Sequence, residues 1–183
     1  MTIDPFRLLL SFSLLLLLLH GVFCDDLINQ TCKKVVEGDP NVNLDFCTST
    51  LQAVPSSHTA DLDELVLISM NLTKANATHT ISYIQRLLKQ KMRPYTRSCL
   101  IDCLELYSDA MSSLNTAMND CKLERYYEAN IQLSATMDAP TTCEDGFKQK
   151  KSTKSPLRKR NRDMFQLGAI ALSIINMLSK SRI

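Results

Sequence analysis

CLIDCLELYSDAMSSLNTAMNDC, residues 99–121, decides the fold class. Leu100, Tyr107, Leu114 and Cys121 recur every seven residues, and Cys103/Leu104, Ala110/Met111 and Ala117/Met118 fill the positions between them. A helix brings positions three and four apart onto one face, so this seam suits knobs-into-holes packing in an antiparallel bundle. The helix is expected from about Tyr95 to Cys121. Pro94 marks the break before it, because the residue ahead of a proline is pushed out of helical geometry.

Upstream, Asp61 can cap a helix running from about Leu62 to Lys91, with a stripe of Leu65, Ile68, Leu72, Ala75, Ala77, Ile81, Ile84 and Leu88. Downstream, a third helix is expected from about Glu124 to Asp138, with Tyr127, Ile131, Ser134 and Met137 inward and Pro140 closing it. The last begins near Ser155-Pro156, a capping serine followed by a proline at the first helical position. Its buried face is Met164, Leu167, Ile170, Ala171, Ile174, Met177 and Leu178. Leu167 to Leu178 is too short to span a bilayer and is followed by Lys180 and Arg182, so it reads as a core helix. Before the four helices, Asp25 to Ala60 is a shorter segment with Gly38-Asp39-Pro40 as a turn. With 4 glycines, no tryptophan and no period-two alternation, the chain reads as all-α. The expected architecture is an antiparallel up-down-up-down four-helix bundle over 61–183, preceded by a hairpin over 25–60.

Leu8 to Leu19 is apolar apart from Ser11 and Ser13, with Arg7 just ahead. At about 18 Å of helix it is too short for a membrane core of about 30 Å. It reads as a secretory signal over 1–24 cut after Cys24, with Gly21 as the other cleavage point. Without it the chain keeps 20 basic and 18 acidic residues, so overall charge selects no partner. Export would make Asn29, Asn71 and Asn76, each in an Asn-x-Thr sequon, candidate glycan acceptors.

Export also makes disulfides chemically reasonable. Six cysteines remain after the leader, and 15 pairings are possible. Cys99 and Cys121 lie 22 residues apart on one expected helix, about 33 Å by helical rise. That exceeds the reach of a disulfide. Cys103 and Cys143 are favourably placed if the chain runs up one helix and returns along the next. Cys32 and Cys47 would clip the two arms of the amino-terminal segment. Cys121 faces the seam and is expected as a buried free thiol. Cys99 could be free or intermolecular.

Catalytic chemistry finds no support. His58 and His79 have no Cys or acid at zinc-ligand spacing, and there is no nucleophile motif, P-loop or dinucleotide fingerprint. No cofactor or metal is expected. The segment from Lys148 to Arg162 carries eight basic residues and no acid. It reads as a solvated loop and first helical turn, with an anionic wall polymer such as pectin as the natural partner if it binds one. Binding of that kind would be strongly salt-dependent. No nucleic-acid partner is expected, and no membrane contact after signal cleavage. A hydrophobic-ligand carrier is a further alternative, since Cys99-x-x-x-Cys103 echoes the spacer of some disulfide-linked helical carriers. The heptad-like seam speaks instead for a filled core.

Several motifs together identify a resemblance. They are Thr31-Cys32-Lys33-Lys34, Pro40-Asn41-Val42-Asn43-Leu44-Asp45-Phe46-Cys47 and Ser57-His58-Thr59-Ala60-Asp61-Leu62. Further on come Asp102-Cys103-Leu104-Glu105-Leu106-Tyr107-Ser108-Asp109-Ala110, Ala129-Asn130 with Ser134-Ala135, and Thr142-Cys143-Glu144-Asp145-Gly146-Phe147. From about Asp26 to Leu178 the chain resembles the plant invertase and pectin methylesterase inhibitor family. The likeness is strongest to members known as pollen allergens, a property of immune recognition. The resemblance implies a four-helix bundle with an amino-terminal helical hairpin and disulfides Cys32–Cys47 and Cys103–Cys143. It implies a noncatalytic 1:1 inhibitor of cell-wall or vacuolar invertase, or of pectin methylesterase, in the apoplast or vacuole. Invertase inhibitors of the family carry Pro-Lys-Phe at the start of the third bundle helix. The corresponding stretch here is Glu124-Arg125-Tyr126-Tyr127, which keeps a cation beside an aromatic and lacks the proline. Arg125, Tyr126 and Tyr127 are thus the candidate contacts with a target enzyme.

Overall fold

The computed structural model describes residues 27–150 and 153–181; the leader at 1–24, its cleavage point, Lys151 and Arg182 lie outside the described residues. Asp61 opens the bundle. Its carboxylate accepts from the Glu64 N–H at 2.9 Å while the Glu64 carboxylate accepts from the Asp61 N–H at 3.2 Å, so two donors of the first turn are satisfied reciprocally. The helix so begun, α3, covers Leu62–Leu88, and Pro94 takes the first position of α4, Pro94–Lys122. α5 is Tyr126–Lys148 and α6 is Arg158–Ser181. Ahead of the bundle lie α1, residues 27–38, and α2, Leu44–Gln52, then a 3₁₀ turn at Pro55–His58.

Short links make the four long helices antiparallel, with residues 89–93 joining α3 to α4 and 123–125 joining α4 to α5. Packing runs α3 to α4 to α5 to α6, and α6 closes on α3. α4 presents the expected seam: Leu100, Cys103, Tyr107, Ala110, Leu114, Ala117 and Cys121 are all buried. The buried row of α3 is Leu65, Val66, Ser69, Met70, Thr73, Ala77, Thr80 and Ile84, so the expected Ile68, Leu72, Ile81 and Leu88 are half-buried beside the core and Ala75 is exposed. Small hydroxyl residues can sit in the row because each bonds back to a carbonyl of the preceding turn: Ser69 to Leu65 at 2.9 Å, Thr73 to Ser69 at 2.8 Å, Thr80 to Asn76 at 2.8 Å.

α5 departs most from expectation. It does not close at Pro140 but carries that residue inside it. An interior proline loses one hydrogen bond and crowds the carbonyl four residues back, a cost of about 3 kcal/mol. The segment beyond offsets this by burying Cys143 and Phe147 against α4 and binding Cys143 covalently to it. The inward row of α5 is Tyr126, Ala129, Leu133, Thr136, Ala139, Pro140, Cys143 and Phe147. Tyr127, Ile131 and Ser134, expected inward, are exposed. α6 starts one short step later than expected: the Ser155 hydroxyl accepts from the Leu157 N–H at 3.1 Å, and the Leu157 carbonyl takes the first helical bond, from Asn161, at 2.8 Å. At Gly168 a Cβ would stand 2.8 Å from Met137 Cγ, so the glycine admits the α5 methionine against the α6 backbone.

Two cores result. One joins α1 and α2 (Ile28, Cys32, Val35, Cys47, Leu51) to the start of α3, the end of α4, the start of α5 and the end of α6. The other fills the opposite half around Tyr107, Phe147, Leu157 and Met164. The hairpin is seated on α6 by the Asn43 N–H, which donates to the Gln166 side-chain oxygen at 2.8 Å.

Candidate functional site

The corner between α4 and α5 follows from its local sequence. The Leu123 N–H donates to the Asn119 and Asp120 carbonyls at 3.2 and 3.1 Å, which ends α4. Glu124 then adopts φ 59°, the left-handed conformation that commonly terminates helices, and the chain reverses at once. The Arg125 N–H donates to the Asp120 carbonyl at 2.9 Å, and its guanidinium pairs with the Asp120 carboxylate. Asp120 is buried and Arg125 half exposed. An unpartnered buried carboxylate would cost several kcal/mol, so Asp120 holds Arg125 in place. The remaining face of the guanidinium meets solvent.

The two adjacent tyrosines part company. Tyr126 is 6% exposed and its hydroxyl donates to the Asp63 carboxylate, tying the start of α5 to the start of α3. It is a structural residue, which corrects its place among the surface contacts. Tyr127 is 74% exposed, with Leu123 at 56% and Ile131 at 51%. Tyr127 and Ile131, four residues apart, share one exposed apolar face of α5, while Leu123 and Arg125 lie in the link before it. Single exposed apolar residues need no explanation, but two large ones a turn apart on one helix, with a third in the link ahead of it, do.

Beneath the corner lies Cys121, a free and buried thiol. Burial, and then the Asp120 and Asp63 carboxylates, push it up from 9.0 to about 12. The neutral thiol is therefore inert in the folded protein. The fold keeps this proton longer than the unfolded chain does. Its contribution to stability is accordingly full below pH 9.0 and lost as pH rises toward about 12. Burial raises the Tyr107 phenol as well. Melting temperature should fall between about pH 9 and 11, and less steeply in Cys121→Ala; a parallel decline would separate the thiol from the effect.

Disulfides join Cys32 to Cys47 and Cys103 to Cys143, with Cα atoms 5.7 and 4.9 Å apart. Cys99 is free and buried one turn before Cys103, its sulfur 3.7 Å from the Gly146 carbonyl. Of the sequon residues, Asn71 is exposed on α3 while Asn29 and Asn76 are half-buried. The His58 ring bonds the Gln52 carbonyl at 3.0 Å. Among the described residues no three His, Cys, Asp or Glu side chains could share a metal ion, and no helix is long and apolar enough to cross a membrane.

Sequence reasoning passed over a groove of about 540 Å³ between α5 and α6, lined among others by Pro140, Lys148, Arg158, Arg162, Phe165 and Gln166. The acid-free basic run was its only signal.

Known proteins share this design. The family profile described as "Plant invertase/pectin methylesterase inhibitor" matches residues 26–174. A protein named "Putative invertase inhibitor" from Platanus acerifolia is 47% identical over 94% of this chain and 97% of its own length. "Pectinesterase inhibitor 12" from Arabidopsis thaliana is 36% identical over 94% of this chain and 99% of its own. The crystal structure of a pectin methylesterase inhibitor from Arabidopsis thaliana superposes with a TM-score of 0.61 at 25% identity, covering 84% of this chain and 96% of that one.

Proposed function

We propose, from the premise that this chain belongs to the plant invertase/pectin methylesterase inhibitor family, that it blocks the active-site cleft of a plant acid invertase. The chain is not an enzyme; its relatives bear the names of invertase and pectinesterase inhibitors. The observation carrying the proposal is the exposed Tyr127–Ile131 face of α5 with Leu123 and Arg125 in the link ahead of it, presented on a corner that two helices and the buried Tyr126 hold rigid. A preformed aromatic anchor loses little entropy on binding, and an arginine fork matches the carboxylates of a glycoside-hydrolysing site. The bundle fills the cleft without reacting. In this reading residues 1–24 are removed on export, 25–183 act as one unit in the apoplast or vacuole, and the complex is 1:1. Asn71, the exposed sequon residue, is the favoured glycan acceptor.

Pectin methylesterase is the second reading, favoured by the 36% identity to a pectinesterase inhibitor over nearly the whole chain. Titrating the oxidised protein against one invertase and one pectin methylesterase, at mildly acid and neutral pH, separates the two. Stoichiometric loss of invertase activity at one inhibitor per enzyme, weakened by salt, is the expected result. Failure to inhibit either enzyme at micromolar concentration would overturn the proposal.

A further inference from the structure

The basic residues of the chain are gathered at the end of the bundle remote from Arg125. Arg86 to Arg97 carries five cations and Lys148 to Arg162 eight, thirteen of the 21 in the chain, and neither segment contains an acid. The antiparallel topology brings both to one end, where α3 gives way to α4 and α5 to α6. Side chains knit the two segments together. Arg160 of α6 lies 4.4 Å over the Tyr83 ring with Arg86 at 5.2 Å, and Lys150 lies 5.2 Å over Tyr95. Nearby acids neutralise only part of this charge: Asp145 pairs with Lys148, Glu144 with Arg158, and Asp163 with Lys159 and Arg162.

The α5–α6 groove opens into this field. Lys148 and Arg158 face it from the two helices, and Arg162 follows Arg158 by one turn, about 6 Å along the axis. Beyond the cations the groove is lined by Glu144, which Arg158 pairs, by the polar Asn41, Thr141 and Asn161, and by Pro140 and the partly buried Phe165. Such a floor suits the C–H faces of sugar rings. Gln166, 5% exposed, spends its carbonyl oxygen on the Asn43 N–H. Its amide hydrogens are what it offers to the groove that it lines.

These features select among polyanions. Among the described residues the exposed large apolar side chains are Leu44, Ile101, Leu123, Tyr127 and Ile131, and none belongs to either basic segment, so the described surface there offers no apolar anchor for a bilayer. Tyr83 and Tyr95 are already covered by cations and do not offer stacking platforms to bases. What remains is a cationic channel with an amide donor and a ring-sized apolar floor.

We propose that this basic end, centred on the α5–α6 groove, docks an acidic polysaccharide, an unesterified polyuronate whose sugars each carry a carboxylate. The α4 helix alone, 29 residues long, sets this end roughly 43 Å from the Arg125 corner. Both ends can therefore be occupied at once, and the inhibitor stays held on an anionic polymer while it engages an enzyme. The site does not depend on which enzyme that is, or on whether the corner inhibits any.

The test is retention of the oxidised protein on immobilised polygalacturonate and on its fully methyl-esterified form. Retention on the acid form, release between roughly 0.05 and 0.5 M salt, and none on the ester are expected. A Lys150→Gln/Lys154→Gln/Arg158→Gln/Arg162→Gln variant should bind at least tenfold more weakly while keeping its melting temperature and any enzyme inhibition. Asp120→Asn/Arg125→Gln, which leaves no stranded carboxylate at the far corner, should bind the polymer like the parent. Equal retention on the ester, an unaffected quadruple variant, or equally tight binding to a DNA oligonucleotide or to phosphatidylserine vesicles would each overturn the assignment.

Discussion

A Cys103→Ser/Cys143→Ser variant is expected to lose about 4 kcal/mol of folding stability, and a Cys32→Ser/Cys47→Ser variant about 3 kcal/mol. The bonds close loops with sequence separations of 40 and 15. Closing the larger loop removes more freedom from the unfolded chain, and the dependence is only logarithmic. Local structure should widen the gap. Cys143 lies three residues beyond Pro140, in the part of α5 where the helix continues against its intrinsic preference. The same sulfur is 3.5 Å from the Asn161 amide nitrogen. Asn161 accepts from the Tyr107 hydroxyl at 2.9 Å and donates to Glu144 at 2.9 Å, so three helices, α4, α5 and α6, meet in one network there. Urea unfolding followed by helical circular dichroism would measure both losses. In a domain of this size 4 kcal/mol corresponds to a drop of about 8–16 °C in Tm. A loss below about 1 kcal/mol for the 103–143 pair, or the reverse order of the two, would contradict this account of the bundle.

How far the sequence could be read depended on which residues make the seam. In α4 the seam consists of Leu, Tyr, Ala and Cys, all buried, while the expected Leu104, Met111 and Met118 are half-buried beside it. In α3 and α5 the same alternation of three and four residues exists: Val66, Met70, Thr73, Ala77, Thr80, Ile84 and Tyr126, Ala129, Leu133, Thr136, Pro140, Cys143, Phe147. Half of these are small or hydroxylated. A reading weighted by hydrophobicity follows Ile68, Leu72, Tyr127 and Ile131 instead, which are larger and more apolar but lie off the seam. Small residues let helices approach closely, and threonine is tolerated there because its hydroxyl bonds the preceding turn. Extending the α4 register with Ala, Ser and Thr allowed would have placed Tyr126 inside and Tyr127 outside. Pro140 shows the other kind of failure. Its local preference to end a helix is real, but the outcome is set by a covalent bond and a buried Phe147 that belong to tertiary structure. The capping box at Asp61, by contrast, lies within four residues and is legible locally.

The largest effect on function is expected at Tyr127. Removing its ring in Tyr127→Ala should weaken inhibition by about 30-fold or more, the scale of roughly 2 kcal/mol for a central aromatic anchor. The melting temperature should hardly move, because the ring is 74% exposed and contributes little to the isolated fold. Tyr126→Phe should behave in the opposite way. It strips the half-buried Asp63 of its Tyr126 hydroxyl donor, costs about 1–3 kcal/mol of stability, and leaves inhibition within a few-fold of the parent. Arg125 needs a more careful variant, because Arg125→Ala alone strands the buried Asp120 carboxylate and would lower stability and inhibition together. Asp120→Asn/Arg125→Gln removes both charges, so a tenfold or greater loss of inhibition with near-parental stability would then report contact with the enzyme. That loss should shrink at high salt, whereas the loss from Tyr127→Ala should not, since one interaction is screened and the other is burial of a ring. If Tyr127→Ala inhibits like the parent, the α4–α5 corner does not enter the cleft, and the contact must lie elsewhere on the bundle.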